Sequence, residues 1–334
     1  MNPYWGKDIF SFMLLFFHRM WQLLTGEIGW HQLASDEIQI LVLSAVGVAS
    51  ALIGVFLVLK KMTMMANALS HTVLLGIVLS YLLVQAVTTT GLVTFNATML
   101  FVASLIAAVL TVTLIEICQK FFKLQEDASI GLIFTFLFAL GIVLVTIYSR
   151  NTHLGIEAIM GNMDALHQDD LIFAFNILCI NTVTTIVLFN YYKILAFDPV
   201  FTKCVHGASW IFQYILMLQT ALTAVGAFRA VGVFLFLIFL TAPVLSAKLF
   251  TQKLKILIVY AILISLGCAL VSVALSRHLF SVYGLAVSTA GLACVCTSLT
   301  YPLSLAVIKT KTVVLKSLKK RSLERVKYAK QESL

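Results

Sequence analysis

Apolar runs of about twenty residues, parted by short polar gaps, follow one another along nearly the whole chain. The first long one covers 38–59 and holds no charged residue. Others follow at 62–87, 99–118, 130–148, 170–190, 209–228, 231–249, 256–276 and 284–308. At about 1.5 Å per residue, each can cross a hydrocarbon layer about 30 Å thick as an α-helix. The pattern predicts nine spans. Within the first, Gly47, Ala51 and Gly54 make a small-residue face that lets another helix approach closely. A shorter run at 9–24 carries His18 and Arg19, and Ser11, His18, Gln22 and Thr25 fall on one stripe of it. It reads as an interfacial amphipathic helix or as a short span with that stripe toward the bundle. Asp8 and the lack of a small-x-small site argue against a cleaved signal peptide.

Composition agrees with the pattern. The 334 residues are 61% hydrophobic and 11% charged, against about a quarter charged in soluble domains. The chain is an all-α polytopic membrane protein by this reading, with residues 1–37 ahead of a transmembrane domain at 38–308 and a basic tail at 309–334. Its net charge of +9 does not mark a nucleic-acid surface, because the charges sit in the gaps and the tail. Eighteen Lys and Arg fall on one side: Lys60 and Lys61, Lys120 and Lys123, Lys193 and Lys203, Lys248, Lys253 and Lys255, and nine from Lys309 to Lys330. Only Arg150, Arg229 and Arg277 fall on the other. The positive-inside rule makes the first side, tail included, cytoplasmic. On that side the tail is expected to rest on anionic lipid. The six cysteines are scattered through apolar runs, which suits packing.

Three places carry candidate chemistry. Asn67 and His71 stand four apart inside the second span, on one helix face beside Ser70. Polar side chains in a span mark a pathway or bond to neighbouring helices, and an amide oxygen and an imidazole both suit a divalent transition metal. The inner gap after 190 contains Asp198, an N-cap residue, Pro199, suited to a first helical position, and Gly207, a natural stop. Such a short helix, with Phe201 and Cys204 on it, can lie on the membrane or dock into a soluble partner. The outer gap 149–169 gathers His153, Glu157, Asp164, His167 and Asp169, as a cation-attracting or docking loop or as a solvated connection. Pro243 is expected to kink its helix. No G-x-x-x-x-G-K followed by Ser or Thr occurs, so the chain holds no ATP by a Walker loop. H-E-x-x-H and a hydrolase serine elbow are also missing, which argues against an enzyme.

Three stretches together resemble one family, the membrane permeases of manganese, zinc and iron uptake ABC transporters. The block from Lys60 through Asn67, Ser70 and His71 to Gly76 is similar to R-R-M-x-L-x-G-D-A-L-S-H-x-x-L-P-G. Phe197, Asp198 and Pro199 through Gly207 are similar to F-D-P-x-x-A-x-x-x-G. Val231 and Gly232 through Pro243 to Leu249 resemble V-G-x-x-L and P-A-x-x-A-R-L. The likeness extends over about 38–308.

The resemblance implies a vitamin-B12-importer-like fold of about nine core helices. It also implies two permease subunits, cytoplasmic ATPase subunits, an extracytoplasmic metal-binding protein and the inner membrane of a bacterium. His71 matches the family's metal-path histidine, and Asn67 occupies the aspartate position, a departure. Leu75 stands where the family has proline. Asp198, Pro199, Phe201, Cys204 and Gly207 fall in the loop that couples to the ATPase. No cofactor is expected to be bound by the chain; a divalent metal ion would be its cargo. Asn67 suggests a second permease of a different sequence, or a path that passes metal quickly. The competing class is a secondary cation transporter driven by an ion gradient.

Overall fold

A computed structural model describes residues 3–69, 72, 75–76, 78–79, 97–148, 163–197 and 209–331. The long elements are all helices: α1 (Ile9–Thr25), α2 (Ser35–Lys60), α3 (Ala97–Phe121), α4 (Glu126–Tyr148), α5 (Gln168–Val187), α6 (Phe189–Phe197), α7 (Ser209–Val231), α8 (Val233–Phe250), α9 (Leu254–Tyr283) and α10 (Thr289–Gln331). Eight are long and apolar enough to cross a membrane: α2 to α5 and α7 to α10. The ninth expected span, 62–87, is described only in part, and its residues 63–69 are helical.

The bundle is organised around α2. It packs against α5, α6, α7, α8 and α9, and 83% of its most apolar stretch is buried, against 11% for α10. Small residues make this crowding possible. A Cβ on Gly54 would overlap the Leu240 carbonyl of α8, and one on Gly47 would come 3.1 Å from the Phe239 ring. Ser265 of α9 uses the same opening to donate to the Gly47 carbonyl at 3.1 Å. The small face read from the sequence is thus where α8 and α9 meet the central helix.

Helix α1, 17 residues and about 25 Å long, is shorter than a bilayer core. It lies against α9 with Phe12 and Phe16 buried. The expected polar stripe does not face the bundle: Ser11, His18 and Thr25 are exposed. Arg19 turns inward instead, to pair with Glu37 of α2. A second stripe of Phe10, Leu14, Phe17, Trp21 and Leu24 remains uncovered.

Two junctions depart from simple loops. A single residue, Gly232 at φ +83°, joins α7 to α8, a conformation that costs glycine nothing. Similarly, only Leu188 interrupts α5 and α6. The last helix continues from its span, Thr289–Lys311, to Gln331 without a break. Its first twenty-three residues already cover a membrane at about 1.5 Å each, so the basic segment runs on from the end of a spanning helix.

Candidate metal path and coupling site

The segment that leads to Asn67 begins with a helix stop. Lys61, at φ 64°, ends α2 in the left-handed region. Its N–H donates to the Val58 carbonyl at 3.2 Å, and the Met62 N–H donates to Leu57 at 2.9 Å. This is the two-bond Schellman arrangement, with lysine where glycine is usual. Met62, 1% exposed, supplies the apolar contact that accompanies it. Helix restarts at once at 63. Met65, Ala66, Ala68 and Leu69 are buried and Asn67 is half-buried. Farther along, Thr72 is buried and donates to the Leu69 carbonyl at 3.1 Å. Gly76 lies so close to α3 that a Cβ would stand 2.6 Å from the Ser104 Cα. The sequence therefore places Asn67 on a helix packed into the bundle. His71 and Ser70 lie outside the described residues, so the Asn67–His71 pairing is not tested. Among the described residues no group of three or more His, Cys, Asp or Glu could hold a metal ion.

Asp198, Pro199, Phe201, Cys204 and Gly207 also lie outside the described residues. The helices on either side, α6 and α7, are described, and they are joined by contacts the sequence reading missed. The Tyr191 ring stacks on Phe212, with centroids 4.3 Å apart and planes at 10°. Tyr192, 1% exposed, donates its hydroxyl to Gln219 Oε1 at 2.9 Å. The Gln219 amide donates in turn to the Asn181 carbonyl and to Thr185 Oγ1, both at 3.0 Å. Asn181 Nδ2 donates to Thr223 Oγ1 at 2.7 Å, and Thr223 donates to the Gln219 carbonyl at 2.8 Å. The available signal was the spacing: Asn181 and Thr185, like Gln219 and Thr223, stand four apart in apolar runs.

The opposite end of the bundle carries the buried charge. Asp36 and Glu37, 1% and 0% exposed, open α2. Glu37 accepts from Arg19, from the Tyr4 hydroxyl at 2.7 Å and from the Ala34 N–H at 2.7 Å. Burial, and then the Glu37 carboxylate, push the Tyr4 phenol well above its ordinary pKa. Asp36 pairs with Arg277 of α9. The same pair lines a half-polar cavity of about 480 Å³ with Gln39, Asp164, Thr289 and the apolar Val273 and Phe280. Asp164 accepts from Thr289 at 2.6 Å, so this acid of the outer gap ties the loop to α10. His167 and Asp169 are exposed, whereas His153 and Glu157 lie outside the described residues. Glu116 forms an i,i+4 pair with Lys120 near the end of α3. Pro243 is buried inside α8, which continues through it; having no N–H, it leaves the Phe239 carbonyl without the usual intrahelical donor.

Comparison with known proteins places this arrangement. Residues 38–308 match the ABC 3 transport family. The chain belongs to that family. A probable metal transport system membrane protein of Chlamydia trachomatis is 36% identical over 293 residues, 88% of this chain and 90% of its own length. The manganese transport system membrane protein MntD of Bacillus subtilis is 34% identical over 232 residues, covering 66% of this chain and 76% of that one. Among solved structures, PsaBC from Streptococcus pneumoniae in complex with Fab superposes with a TM-score of 0.65 at 22% identity, over 83% of this chain and 92% of that one. At that identity the likeness is one of fold. This ABC 3 family member is thus a multi-pass, all-helical permease over its described residues.

Proposed function

We propose that the chain is the permease subunit of an ATP-driven importer of divalent transition metal ions, manganese or zinc before iron. The reading gives it a vitamin-B12-importer-like fold in a bacterial inner membrane, with its C-terminus cytoplasmic. A binding protein delivers the metal from outside. The ion passes between two permeases along a path touched by His71 and Asn67, and ATPase subunits act through the helix formed around Asp198, Pro199, Phe201, Cys204 and Gly207. Alternating access follows if ATP binding favours one of two conformations and hydrolysis the other.

The observation that carries this reading is the family match over 38–308, with relatives named for metal transport at up to 36% identity. The seat of Asn67 supports it: a polar side chain on a helix packed into the bundle, next to a designed helix stop. Co-purification with the ATPase and metal uptake by the assembled complex test it. His71→Ala is expected to cut uptake at least about tenfold, because a neutral imidazole is a good first-row ligand and alanine none. His18→Ala, at an exposed position, is the control and should leave uptake unchanged. Equal effects of the two changes, or uptake that needs no ATPase, would overturn the reading, and the second result would favour a secondary transporter.

A further inference from the structure

The segment 198–208 is flanked by two helices that behave as one body. Phe212 and Gln219 stand seven apart, two turns along one face of α7. Tyr191 stacks on the first and Tyr192 donates to the second. The start of α6, about a turn and a half ahead of the segment, and the first half of α7, which follows it, therefore cannot shift relative to each other without breaking these contacts. That body packs on the central helix, and Phe56 is where its aromatic rings meet it. The Phe56 centroid is 5.2 Å from Tyr192 and 6.3 Å from Phe189. Five residues after Phe56, α2 stops at Lys61, and the helix bearing Asn67 begins.

We propose that the Tyr192–Gln219 bridge, with Phe56 packed against it, is the positioning element that carries displacement of segment 198–207 to α2 and to the Asn67 helix. The proposal rests on the reading that this segment meets an ATPase. Apolar packing alone would hold these helices together in lipid, so the cluster's polarity needs a cause. A buried hydrogen bond is directional and holds one register until it breaks, which gives discrete arrangements rather than gradual slip. One acceptor beside the bridge is unmet, which points to a second arrangement. Asn181 Oδ1 is fully buried and accepts from no donor among the described residues, while the Gln219 amide donates to the carbonyl of that same residue. Leaving such an acceptor unmet costs stability. A rotated Gln219 amide can meet it as Tyr192 lets go.

The test uses the full complex with ATPase and binding protein in proteoliposomes, reading manganese imported per ATP hydrolysed. Tyr192→Phe keeps the ring and removes the donor; Gln219→Leu removes the bridge from the other side. Each should lower the ratio by about fivefold, the factor one net hydrogen bond of about 1 kcal/mol is worth, while ATP hydrolysis continues. The double variant removes the Tyr192 hydroxyl and its acceptor together, although Thr185 Oγ1 still loses the Gln219 donor. It should recover part of the yield and thermal midpoint lost in the single variants but not the ratio. An unchanged ratio in both single variants would overturn the proposal, as would a ratio that returns in the double variant, since the bridge would then only stabilise. A wild-type complex that imports neither manganese nor zinc with ATP would instead remove the functional reading, and this inference with it.

Discussion

Asp36 and Arg277 show how unequal two ends of one ion pair can be. The Asp36 side chain is 2% exposed and that of Arg277 17%, so only the arginine has water within reach if its partner leaves. Removing Arg277 takes the arginine away from a buried carboxylate; removing Asp36 frees a guanidinium that can turn outward. Arg277→Ala is therefore expected to cost about 3 kcal/mol, the range for breaking a buried pair, and Asp36→Ala clearly less. Thermal midpoints of the purified protein check the order of the two. Lys61 offers a second residue-level test. Its left-handed φ costs a side-chain-bearing residue about 1 kcal/mol that glycine avoids. Lys61→Gly should leave the thermal midpoint unchanged or raise it, while the β-branched Lys61→Val should lower it. Sequence patterns reached the helix that carries Asn67 because helix period is local. They did not reach Glu37, whose partners Arg19 and Tyr4 lie 18 and 33 positions away. Only tertiary contact explains two adjacent carboxylates buried at the mouth of a span.

At the level of helices, hydropathy located the spans because lipid forces every backbone polar group into intrahelical bonds. Eight of the nine expected runs coincide with described helices, although α9 extends seven residues past the expected 276 and α10 starts at Thr289 and runs on to Gln331. What hydropathy could not rank is centrality: α2 and α10 are both apolar, yet one is the hub and the other the rim. The small residues did carry that information. Gly47, Ala51 and Gly54 lie where α8 and α9 approach, whereas nothing lies within 4 Å of a Cβ on Gly131 of α4. Gly54→Leu should thus force α8 away from α2, costing about 3 kcal/mol or preventing folding, as overpacking does. Gly131→Ala should be neutral or stabilising, by up to about 1 kcal/mol of helix propensity. Comparing yields and thermal midpoints of the two variants reads this directly; equal losses would mean that α2 is not the packing hub. The continuation of α10 beyond its span was hidden for the opposite reason. A lysine-rich segment carries no hydropathy signal, and its helical form follows from the preceding span as a nucleus already made.

For the whole molecule, the open question is what balances the charge of a divalent cation in the path. Desolvating such an ion costs many kcal/mol unless negative charge meets it. The described chain keeps its buried carboxylates for other work: Asp36 and Glu37 are paired with arginines at the start of α2, and Glu116 with Lys120. At the proposed path the sequence offers Asn67 and His71, both neutral as ligands. Two copies would bring four ligands and no formal charge. A different permease that carries aspartate at the Asn67 position would add one carboxylate, leaving Asp, Asn and two His around the ion. The chain is therefore expected to work beside a second, different permease. Expressed with an ATPase and binding protein but no other permease, it should import manganese at least about tenfold more slowly than the mixed complex, and Asn67→Asp in that homodimer should restore much of the difference. Uptake is measured with radioactive manganese at fixed ATPase content. Full-speed import by the unaltered homodimer would show that no carboxylate is needed, and that weak ligands serve a path from which the ion must quickly leave.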